Sequence, residues 1–335
     1  MKSVPVFKTI ALIALLACAP GAHAKAAAMR VLQINDHLTA FYDGRPAESS
    51  VDQSKATWAD HGANYVGVAT YVIHSGDSAL VYDAYPSTAQ AAWVRDYMTR
   101  AGVRHFTLVN SHWHLDHVGG NAVYADSPSI ATEKTRERLI ANKAGIEAGT
   151  VWGLPGIAPL RVPDIGITAD TIVTVGTVRV ELHPVAIHSE DGLVILLPQD
   201  RLLLAGDTLE DTMTFVAEPE SLPAQYATLL AMKGWGFDHI LPNHGNPDVI
   251  ARGGYTPALI DMTRHYIRSM VEHAHDADYL RQPIEAHIGS GIANGTVSLW
   301  WAYREAHQEN LGKIAEYYKD KPLPSFGPAE QAPAG

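Results

Sequence analysis

The amino-acid sequence predicts an α/β protein that ends in a helical extension. Apolar runs of strand length, such as Val66–His74 and Leu193–Leu197, alternate with a segment of helical spacing at Ala89–Ala101. Several of these runs are followed by polar residues, which is typical of strands that are buried inside a sheet and emerge at its edge. The last part of the chain changes character and contains long helical stretches at Pro257–His273 and Val297–Tyr318.

The predicted elements follow one another with short polar turns between them. A hairpin of two strands, Met29–Ile34 and His37–Tyr42, precedes a polar loop at residues 45–62. This loop either covers an active site or only connects two elements in solvent. Helices are predicted at residues 89–101 and 130–147, the second with a charged face that favours solvent exposure. The remaining predicted strands span residues 66–74, 79–83, 105–110, 171–174, 177–183, 193–197 and 201–205.

The segment Ser111–His117 is the most informative part of the chain. It contains three imidazoles and one carboxylate, those of His112, His114, Asp116 and His117. Alternation places His112 and His114 on the same side of an extended segment, and the other two side chains follow a bend. Because the chain has 17 histidines, a loop that is rich in histidine by chance is the competing interpretation.

Three downstream residues favour a site over chance. His188 follows the strand-like run Val178–Leu182, and Asp207 follows the apolar run Leu202–Ala205. His244 likewise comes shortly after an apolar segment. Residues that are distant in sequence but lie at strand ends can meet at one edge of a sheet. We therefore expect these three side chains to join the Ser111–His117 cluster.

The predicted donor set consists of five imidazoles and two carboxylates, which are nitrogen and oxygen ligands. Such ligands suit zinc and also iron or manganese, and no thiolate is present to select zinc. Seven such side chains around two cations leave coordination positions open for water, which is typical of a catalytic site. Two cations about 3.5–4 Å apart convert a shared water into a strong nucleophile at neutral pH.

Over residues 30–250 the pattern His-x-His-x-Asp-His, followed by His188, Asp207 and His244, resembles the metallo-β-lactamase superfamily. The resemblance implies a four-layer αββα sandwich built from two similar halves. It also implies two Zn²⁺ ions for each chain, held by seven side chains: His112, His114 and His188 on the first ion, Asp116, His117 and His244 on the second, and Asp207 bridging both. Asp83, at the end of the strand 79–83, matches the family's early aspartate.

The resemblance implies a hydrolase in which a metal-bridging hydroxide attacks an ester, lactone, thioester or amide carbonyl. Asp116 is the expected catalytic residue, because it can orient the nucleophile or accept its proton. Asp83 either holds a ligand imidazole in place or caps a turn. Where lactamase relatives have Cys or Ser, this chain has Asp207, which is similar to hydroxyacylglutathione hydrolases and acyl-homoserine lactonases. The segment His188–Gly192 also departs from the family's common His-Thr-x-Gly pattern.

Three alternatives remain beside the hydrolase. One is a mononuclear iron enzyme resembling persulfide dioxygenases, which share much of this ligand set. A true β-lactamase is the second, although the Asp207 bridge disfavours it. The third is a protein that binds metal or substrate without turnover. The substrate is expected to be a small molecule in each of the enzymatic cases, and the sequence leaves the oligomeric state open.

Composition narrows the class of partners. The formal net charge is −11, and no run of clustered Lys or Arg is present, so nucleic acid is disfavoured as a partner. The first 24 residues resemble a secretory leader, with Lys2 and Lys8 before an apolar run that is too short to span a bilayer stably. Export to the periplasm or the medium is expected. Cys18, the one cysteine, offers lipoprotein anchoring as an alternative.

These observations predict four segments in the chain. A leader at residues 1–24 precedes a metallo-β-lactamase-fold domain at 25–250, a helical extension packed on it at 251–321, and a disordered tail at 322–335. The apolar, turn-rich segment 150–163 carries Trp152, which either serves in a substrate lid or packs into the core. The extension has five histidines that lie outside the motif and are expected to have structural roles: His265, His273, His275, His287 and His307.

Overall fold

Two β-sheets face each other in the computed structural model, which describes residues 29–326. Within these residues the first sheet has seven strands in sequence order: β1 Arg30–Asn35, β2 Leu38–Asp43, β3 Val68–Ser75, β4 Ser78–Tyr82, β5 His105–Val109, β6 Ser129–Thr132 and β7 Ile165–Ile167. The second sheet has five: β8 Thr171–Val175, β9 Val178–Pro184, β10 Leu193–Leu197, β11 Leu202–Gly206 and β12 His239–Pro242, in the spatial order β12-β11-β10-β9-β8. The pairs β4/β5, β5/β6, β6/β7 and β11/β12 are parallel.

Helices cover the outer faces of the two sheets. Several begin at a residue whose side chain accepts a hydrogen bond from the first turn, as Ser87 does from the amide of Gln90 and Thr132 from that of Thr135. The described residues contain eight α-helices: α1 Thr88–Arg100, α2 Leu115–Val118, α3 Glu133–Ala148, α4 Leu222–Met232, α5 Pro247–Ala251, α6 Ala258–Glu272, α7 Ile284–Ala293 and α8 Tyr303–Tyr318.

The strand β10 shows why the sheets pair. Every residue of this strand is apolar and buried. Leu193, Ile195 and Leu197 pack in the core between the two sheets, whereas Val194 and Leu196 pack in the core beneath the helices. A strand with apolar side chains on both faces needs a layer on each side of its sheet. Each such buried side chain contributes about 1.5–3 kcal/mol to folding.

The outer layers complete the sandwich. Helix α1 packs Val94 and Met98 against the outer face of the first sheet. On the second sheet, α6 and α8 bury Ile267 and Leu311 in the same core as Leu203 of β11. The order of layers is helix, sheet, sheet and helix, which confirms the predicted α/β class and four-layer sandwich.

The structure corrects several predicted elements. The helix predicted at residues 130–147 begins only at Glu133, because residues 129–132 form β6 and Thr132 caps the helix. Strand β7 and helices α4, α5 and α7 were not predicted, and the stretch predicted to be helical from Val297 becomes α8 only at Tyr303. These elements are short or lie on turn-rich sequence, where periodicity is a weak signal. The polar loop at 45–62 contains two short 3₁₀ helices, Glu48–Ser50 and Gln53–Lys55.

Parts of the predicted organisation lie outside the described residues. The predicted leader, residues 1–24, is among these, as is most of the predicted tail at 322–335. Within residues 29–326, every helix is too short or too polar to cross a membrane. The segment boundary predicted at residue 250 stays a prediction, although α6, α7 and α8 do contribute to the core over the second sheet.

Candidate metal centre

The predicted site residues meet at one edge of the sandwich, where several strands end. Asp83 follows β4, and the Ser111–His117 segment follows β5, its parallel neighbour. Asp207 follows β11, and His244 comes two residues after the end of β12, again a parallel pair. His188 lies in the loop between β9 and β10. Because parallel strands end at the same side of a sheet, this topology brings distant polar residues together.

The short helix α2 is fixed tightly at this edge. Its Leu115 and Val118 side chains are buried beside α3. The following residue, Gly119, approaches the preceding layer so closely that a Cβ atom would lie 2.2 Å from the carbonyl oxygen of Pro86. Only glycine permits this contact, so the motif is held at a set distance from the end of β4.

The first group of side chains consists of His112, His114 and His188 together with Asp207. The Nε2 atom of His188 lies 3.1 Å from Nδ1 of His114 and 3.7 Å from Oδ2 of Asp207. The Nε2 atom of His112 is 3.6 Å from the same Asp207 oxygen. The ligand atoms of these four residues all lie within 4.8 Å of one another.

The second group consists of Asp116, His117 and His244, again with Asp207. The Nε2 atoms of His117 and His244 both lie 3.1 Å from Oδ2 of Asp116. They lie 3.0 and 3.3 Å from Oδ2 of Asp207. Asp207 therefore belongs to both groups, at the position where a bridging ligand would stand.

These distances fit a pair of bound cations. Ligands about 2.1 Å from a tetrahedral zinc ion are separated from one another by about 3.4 Å. The observed separations of 3.0–3.7 Å bracket that value. The buried Nε2 of His112 and Oδ1 of Asp207 have no hydrogen-bond partner among the described residues. A buried polar atom without a partner is costly, and a cation would satisfy both atoms.

The surroundings of the first group keep its three histidine rings unprotonated, so that each has a nitrogen lone pair available for a metal ion. Burial lowers the pKa of His112, His114 and His188, and neighbouring imidazoles lower it further; for His114 the value falls to about 3. The three rings are therefore neutral at pH 7. A neutral imidazole is the form that binds a metal ion, so this group needs no deprotonation first.

The carboxylates of the second group stabilise positive charge on its two histidine rings. Burial alone would lower the pKa of His117 and His244, but Asp116 and Asp207 outweigh it and raise the pKa of both rings. Burial alone would likewise raise the pKa of the two carboxyls, yet the adjacent rings lower it well below the usual range. The carboxylate pair attracts positive charge to this pocket, and a divalent cation can replace the protons held there.

Asp83 supports the site from behind. Its Oδ2 atom lies 2.9 Å from Nδ1 of His117, the ring nitrogen that faces away from the second group. Its Oδ1 accepts a hydrogen bond from the amide of Ser111 at 2.7 Å, and Asn243 donates to Oδ2 at 2.6 Å. A carboxylate in this position fixes the tautomer and orientation of an imidazole. The turn-capping alternative does not account for the contact with His117.

Backbone strain is concentrated in the same region. Asp83 and His188 have φ angles of 69° and 66°, in the left-handed region that residues other than glycine rarely occupy. Such conformations cost about 1–3 kcal/mol each and persist only where surrounding contacts impose them. Both residues lie at the edge of the sandwich where the candidate ligands meet.

Sequence reasoning missed Glu210, which lies directly behind the first group. Its Oε1 atom is 3.6 Å from Nδ1 of His188 and accepts a hydrogen bond from the amide of Phe215 at 2.9 Å. Tyr303 of α8 donates to Oε2 at 3.0 Å. Burial raises the pKa of Glu210 to about 8, and the nearby Asp207 adds to this effect. The helical extension therefore reaches Glu210 through the hydroxyl of Tyr303.

Asp191 is the second residue that the sequence did not identify. It is buried, and its Oδ2 accepts hydrogen bonds at 2.9 Å from the amide of Trp113 and from the hydroxyl of Thr135. Asp191 thus ties the His188 loop to the Ser111–His117 segment. The departure of His188–Gly192 from the family pattern was the available signal, because it places an acidic residue in this loop.

Comparison with known proteins agrees with this arrangement. The model of the metallo-beta-lactamase superfamily matches residues 64–246, more than half of the 335-residue chain. A hydroxyacylglutathione hydrolase from Anaeromyxobacter dehalogenans (strain 2CP-C) is 30% identical over 141 residues. That match covers 42% of this chain and 45% of the relative, so it spans about half of that protein's length.

Solved structures show the same fold. The chain is similar to VMB-1 with a TM-score of 0.54 and 17% identity, over 72% of this chain and 97% of that one. It is similar to the DIM-1 metallo-beta-lactamase with a TM-score of 0.51 and 15% identity, over 67% and 92%. A metallo-beta-lactamase from Pontibacter korlensis gives a TM-score of 0.50 and 17% identity, over 65% and 92%.

Proposed function

The chain belongs to the metallo-β-lactamase superfamily, and from that premise we propose that it is a metal-dependent hydrolase of a carbonyl substrate. The substrate class is an ester, lactone, thioester or amide. One observation carries the proposal: Asp207 stands within two groups of ligand atoms, each with three further ligands and a spacing suited to a cation. An arrangement with a shared ligand is typical of a two-metal hydrolytic site.

The proposed ligands are those that converge in the structure. The donor set of imidazoles and carboxylates suits Zn²⁺, with iron or manganese as alternatives. Bound cations would supply Lewis acidity and lower the pKa of a water molecule. His112, His114 and His188 would hold the first cation, Asp116, His117 and His244 would hold the second, and Asp207 would serve both groups.

Asp116 is the proposed catalytic residue among these. Its side chain is 10% exposed, more than those of His117 or Asp207, so it lies nearest to solvent in the second group. The lowered pKa keeps its carboxylate ionised at neutral pH. An ionised carboxylate at the mouth of the site can accept a proton from the attacking water or orient it toward the carbonyl carbon.

Two observations favour a thioester or ester over a β-lactam. The similar curated protein is named a hydroxyacylglutathione hydrolase, an enzyme of thioesters, although it matches over only part of its length. Asp207 also occupies the position where lactamases of the family have Cys or Ser. The solved metallo-beta-lactamases share the fold at identities of 15–17%, which carries no information on substrate.

Replacement of Asp116 by Ala tests the proposal. We expect the variant to remain folded and to lose about 10²–10⁴-fold of the hydrolytic rate, the usual contribution of a positioned acid–base group. The measurement is kcat/KM on a panel of neutral thioesters, p-nitrophenyl esters, lactones and nitrocefin. Asp126→Ala, at an exposed ion pair with Arg95, is the matched control and should retain full activity.

Two outcomes would contradict the proposal. Full activity of the Asp116→Ala variant would remove this carboxylate from the mechanism. Purified protein that contains one iron for each chain and produces sulfite from a persulfide would replace the hydrolase with an oxygenase.

A further inference from the structure

We propose that Trp113 and Trp152 form an aromatic wall beside the first cation position, which binds an uncharged aromatic or aliphatic group of the substrate. The inference rests on the proposed hydrolase function and specifies its substrate class. The expected substrate is a neutral ester or thioester with an apolar acyl group. A thioester that carries free carboxylates is expected to be a poorer substrate.

The geometry places this wall next to the reacting centre. The ring of Trp152 lies 5.0 Å from that of His114, a proposed ligand, at an interplanar angle of 78°. It lies 4.7 Å from the ring of Trp113. A carbonyl held at the first cation would therefore have its adjacent group within reach of both indoles. Aromatic pairs at such distances bind a further apolar group by offset or edge contacts.

The wall presents apolar surface to solvent. Trp152 is 45% exposed and the neighbouring Leu154 is 70% exposed, whereas most large apolar side chains of residues 29–326 are buried. Exposed apolar side chains that adjoin a polar centre are typical of a ligand site, because a bound apolar group removes this surface from water. The core-packing alternative considered for Trp152 is wrong, since nearly half of the side chain is in solvent.

The loop that carries Trp152 is held in place rather than loose. The amides of Thr150 and Val151 donate to the carbonyl oxygen of Gly145 at 2.8 and 3.2 Å. On the far side of the loop, Trp58 donates from its indole nitrogen to the carbonyl of Pro155 at 2.9 Å. Trp152 itself has a φ angle of 60°, a left-handed conformation that a bulky residue adopts only when its surroundings impose it.

The charges beside the wall are already paired. The guanidinium of Arg138 lies over the Trp113 ring, 5.5 Å from its centroid. It forms ion pairs with Glu190 at 2.7 Å and with Glu218 at 2.9 Å, and Lys134 pairs with Glu190 at 3.2 Å. The positively charged side chains of Arg138 and Lys134 thus face the two carboxylates of Glu190 and Glu218. This cluster offers no surplus positive charge to a substrate carboxylate, which favours a neutral substrate.

Two pairs of thioesters test the acyl preference and the charge preference. S-phenylacetyl and S-acetyl N-acetylcysteamine share a neutral leaving group and differ only in the aromatic acyl group. We expect Trp152→Ala to lower kcat/KM for the phenylacetyl compound by about tenfold and to change that for the acetyl compound by less than about twofold. Trp152→Phe should retain most of the preference. S-phenylacetylglutathione should be cleaved more slowly than its neutral counterpart.

Trp93→Ala is the matched control. Trp93 is a tryptophan on α1 that is 38% exposed and packs on Tyr97 and Phe41. The Trp93→Ala substitution should leave kcat/KM unchanged for the phenylacetyl, acetyl and glutathione thioesters. If Trp152→Ala lowers kcat/KM equally for the phenylacetyl and acetyl compounds, or for neither, the proposed aromatic wall is wrong. A preference of the wild-type protein for the glutathione compound would overturn the neutral substrate class.

A binding measurement separates this inference from the proposed function. N-benzylacetamide, a neutral aromatic probe, is titrated into chelator-treated protein while the tryptophan fluorescence is followed. We expect saturable binding by the wild-type protein and by Trp93→Ala, and about tenfold weaker binding by Trp152→Ala. If hydrolysis is absent but this pattern holds, only the proposed function fails. If hydrolysis is present but the wild-type protein does not bind the probe, the wall fails.

Discussion

Two clusters of histidines lie in the described part of this chain, and their surroundings differ. The candidate metal centre contains five histidines whose ring nitrogens converge with the carboxylates of Asp116 and Asp207. The C-terminal histidine cluster (His273, His287 and His307) lies among α6, α7 and α8. The same residue type is thus enriched in both places, and the neighbours of each ring decide what it can do.

Hydroxyl and carbonyl groups surround the C-terminal histidine cluster. Nδ1 of His307 lies 2.8 Å from the hydroxyl of Tyr266, and its Nε2 lies 3.2 Å from the carbonyl oxygen of Gln282. Nδ1 of His287 lies 2.8 Å from the hydroxyl of Tyr279. These partners are uncharged, and Nε2 of His287 has no hydrogen-bond partner among the described residues. Within the part of the chain that the structure describes, no carboxylate joins the three rings in a group of ligand atoms, so this cluster is suited to packing and not to a divalent cation.

Carboxylates at strand ends, more than histidine density, distinguish the candidate metal centre from the C-terminal histidine cluster. Among residues 29–326, the groups of three or more ligand atoms close enough for a cation are the two that share Asp207. Strand ends hold backbone segments rigidly, whereas the C-terminal rings lie on helices that pack by apolar contacts. The following experiments test this distinction, beginning with the largest expected effect.

Substitution of one histidine in each cluster should give opposite results. His112→Ala removes a proposed ligand, and we expect about a 10²–10⁴-fold loss of hydrolysis with one cation lost from the chain. His307→Ala should keep both cations and nearly full activity. It should instead lower the free energy of unfolding by about 1–3 kcal/mol, because the buried hydroxyl of Tyr266 loses the ring nitrogen of His307 and keeps only the amide of Asn310 as a partner.

Kinetics, metal content and urea unfolding of the two variants provide the measurement. Loss of a cation from the His307→Ala variant would contradict the assignment of its cluster to packing. Retention of both cations by His112→Ala would remove that ring from the metal centre.

Asp83→Asn tests the support behind His117. The amide of the variant carries no negative charge to pair with the His117 ring. Contacts of this type to a ligand imidazole typically contribute about 10–100-fold to metal affinity, so we expect zinc affinity to fall by about that factor. The measurement is competition for zinc with a chelator of known affinity. Asp77→Asn, at an exposed turn, should bind zinc as the wild-type protein does. Unchanged affinity in Asp83→Asn would show that Asp83 serves only the local turn.

The C-terminal cluster should respond to acid in a defined pH range. Burial, with a further contribution from His307, lowers the pKa of His287 from 6.5 to about 4. Since the folded state disfavours the protonated ring, its contribution to stability is complete above pH 6.5 and is lost as the pH falls toward 4. His287→Gln does not titrate, so its stability should decline less over this range, by a difference of roughly 2–4 °C in Tm.

Thermal unfolding of metal-free protein at pH 7 and pH 4.5 gives this comparison directly. Metal-free protein is used because protons also compete with cations for the ligand imidazoles. Identical pH dependence in the wild-type protein and the variant would show that folding does not lower the pKa of His287.

Much of the fold was accessible from the sequence because its strands are long and apolar. Strand β10 could be placed from its composition alone, and the four-layer order followed from the resemblance. Strands β6 and β7 were not predicted, because segments of four and three residues are too short to show a period. Helix α7 was missed for a related reason, since glycines at 289 and 291 interrupt its pattern.

Some residues of the site could also be predicted from the sequence, and others could not. The seven predicted ligands could be chosen from spacing, and the structure brings all seven together; their binding of cations stays a prediction. Glu210 and Asp191 could not be chosen, since an acidic residue in a turn looks the same in sequence whether it is buried or exposed. Burial of Glu210 depends on Tyr303, which lies 93 positions away along the chain.

The metal content of the purified protein tests the central claim most directly. The protein is depleted with a chelator, titrated with zinc and analysed by inductively coupled plasma mass spectrometry after removal of free metal. We predict two zinc ions for each wild-type chain, with fewer than two for Asp207→Ala, because this carboxylate belongs to both groups. Wild-type protein that retains no zinc, or an Asp207→Ala variant that retains two ions, would contradict the account of a shared two-cation centre.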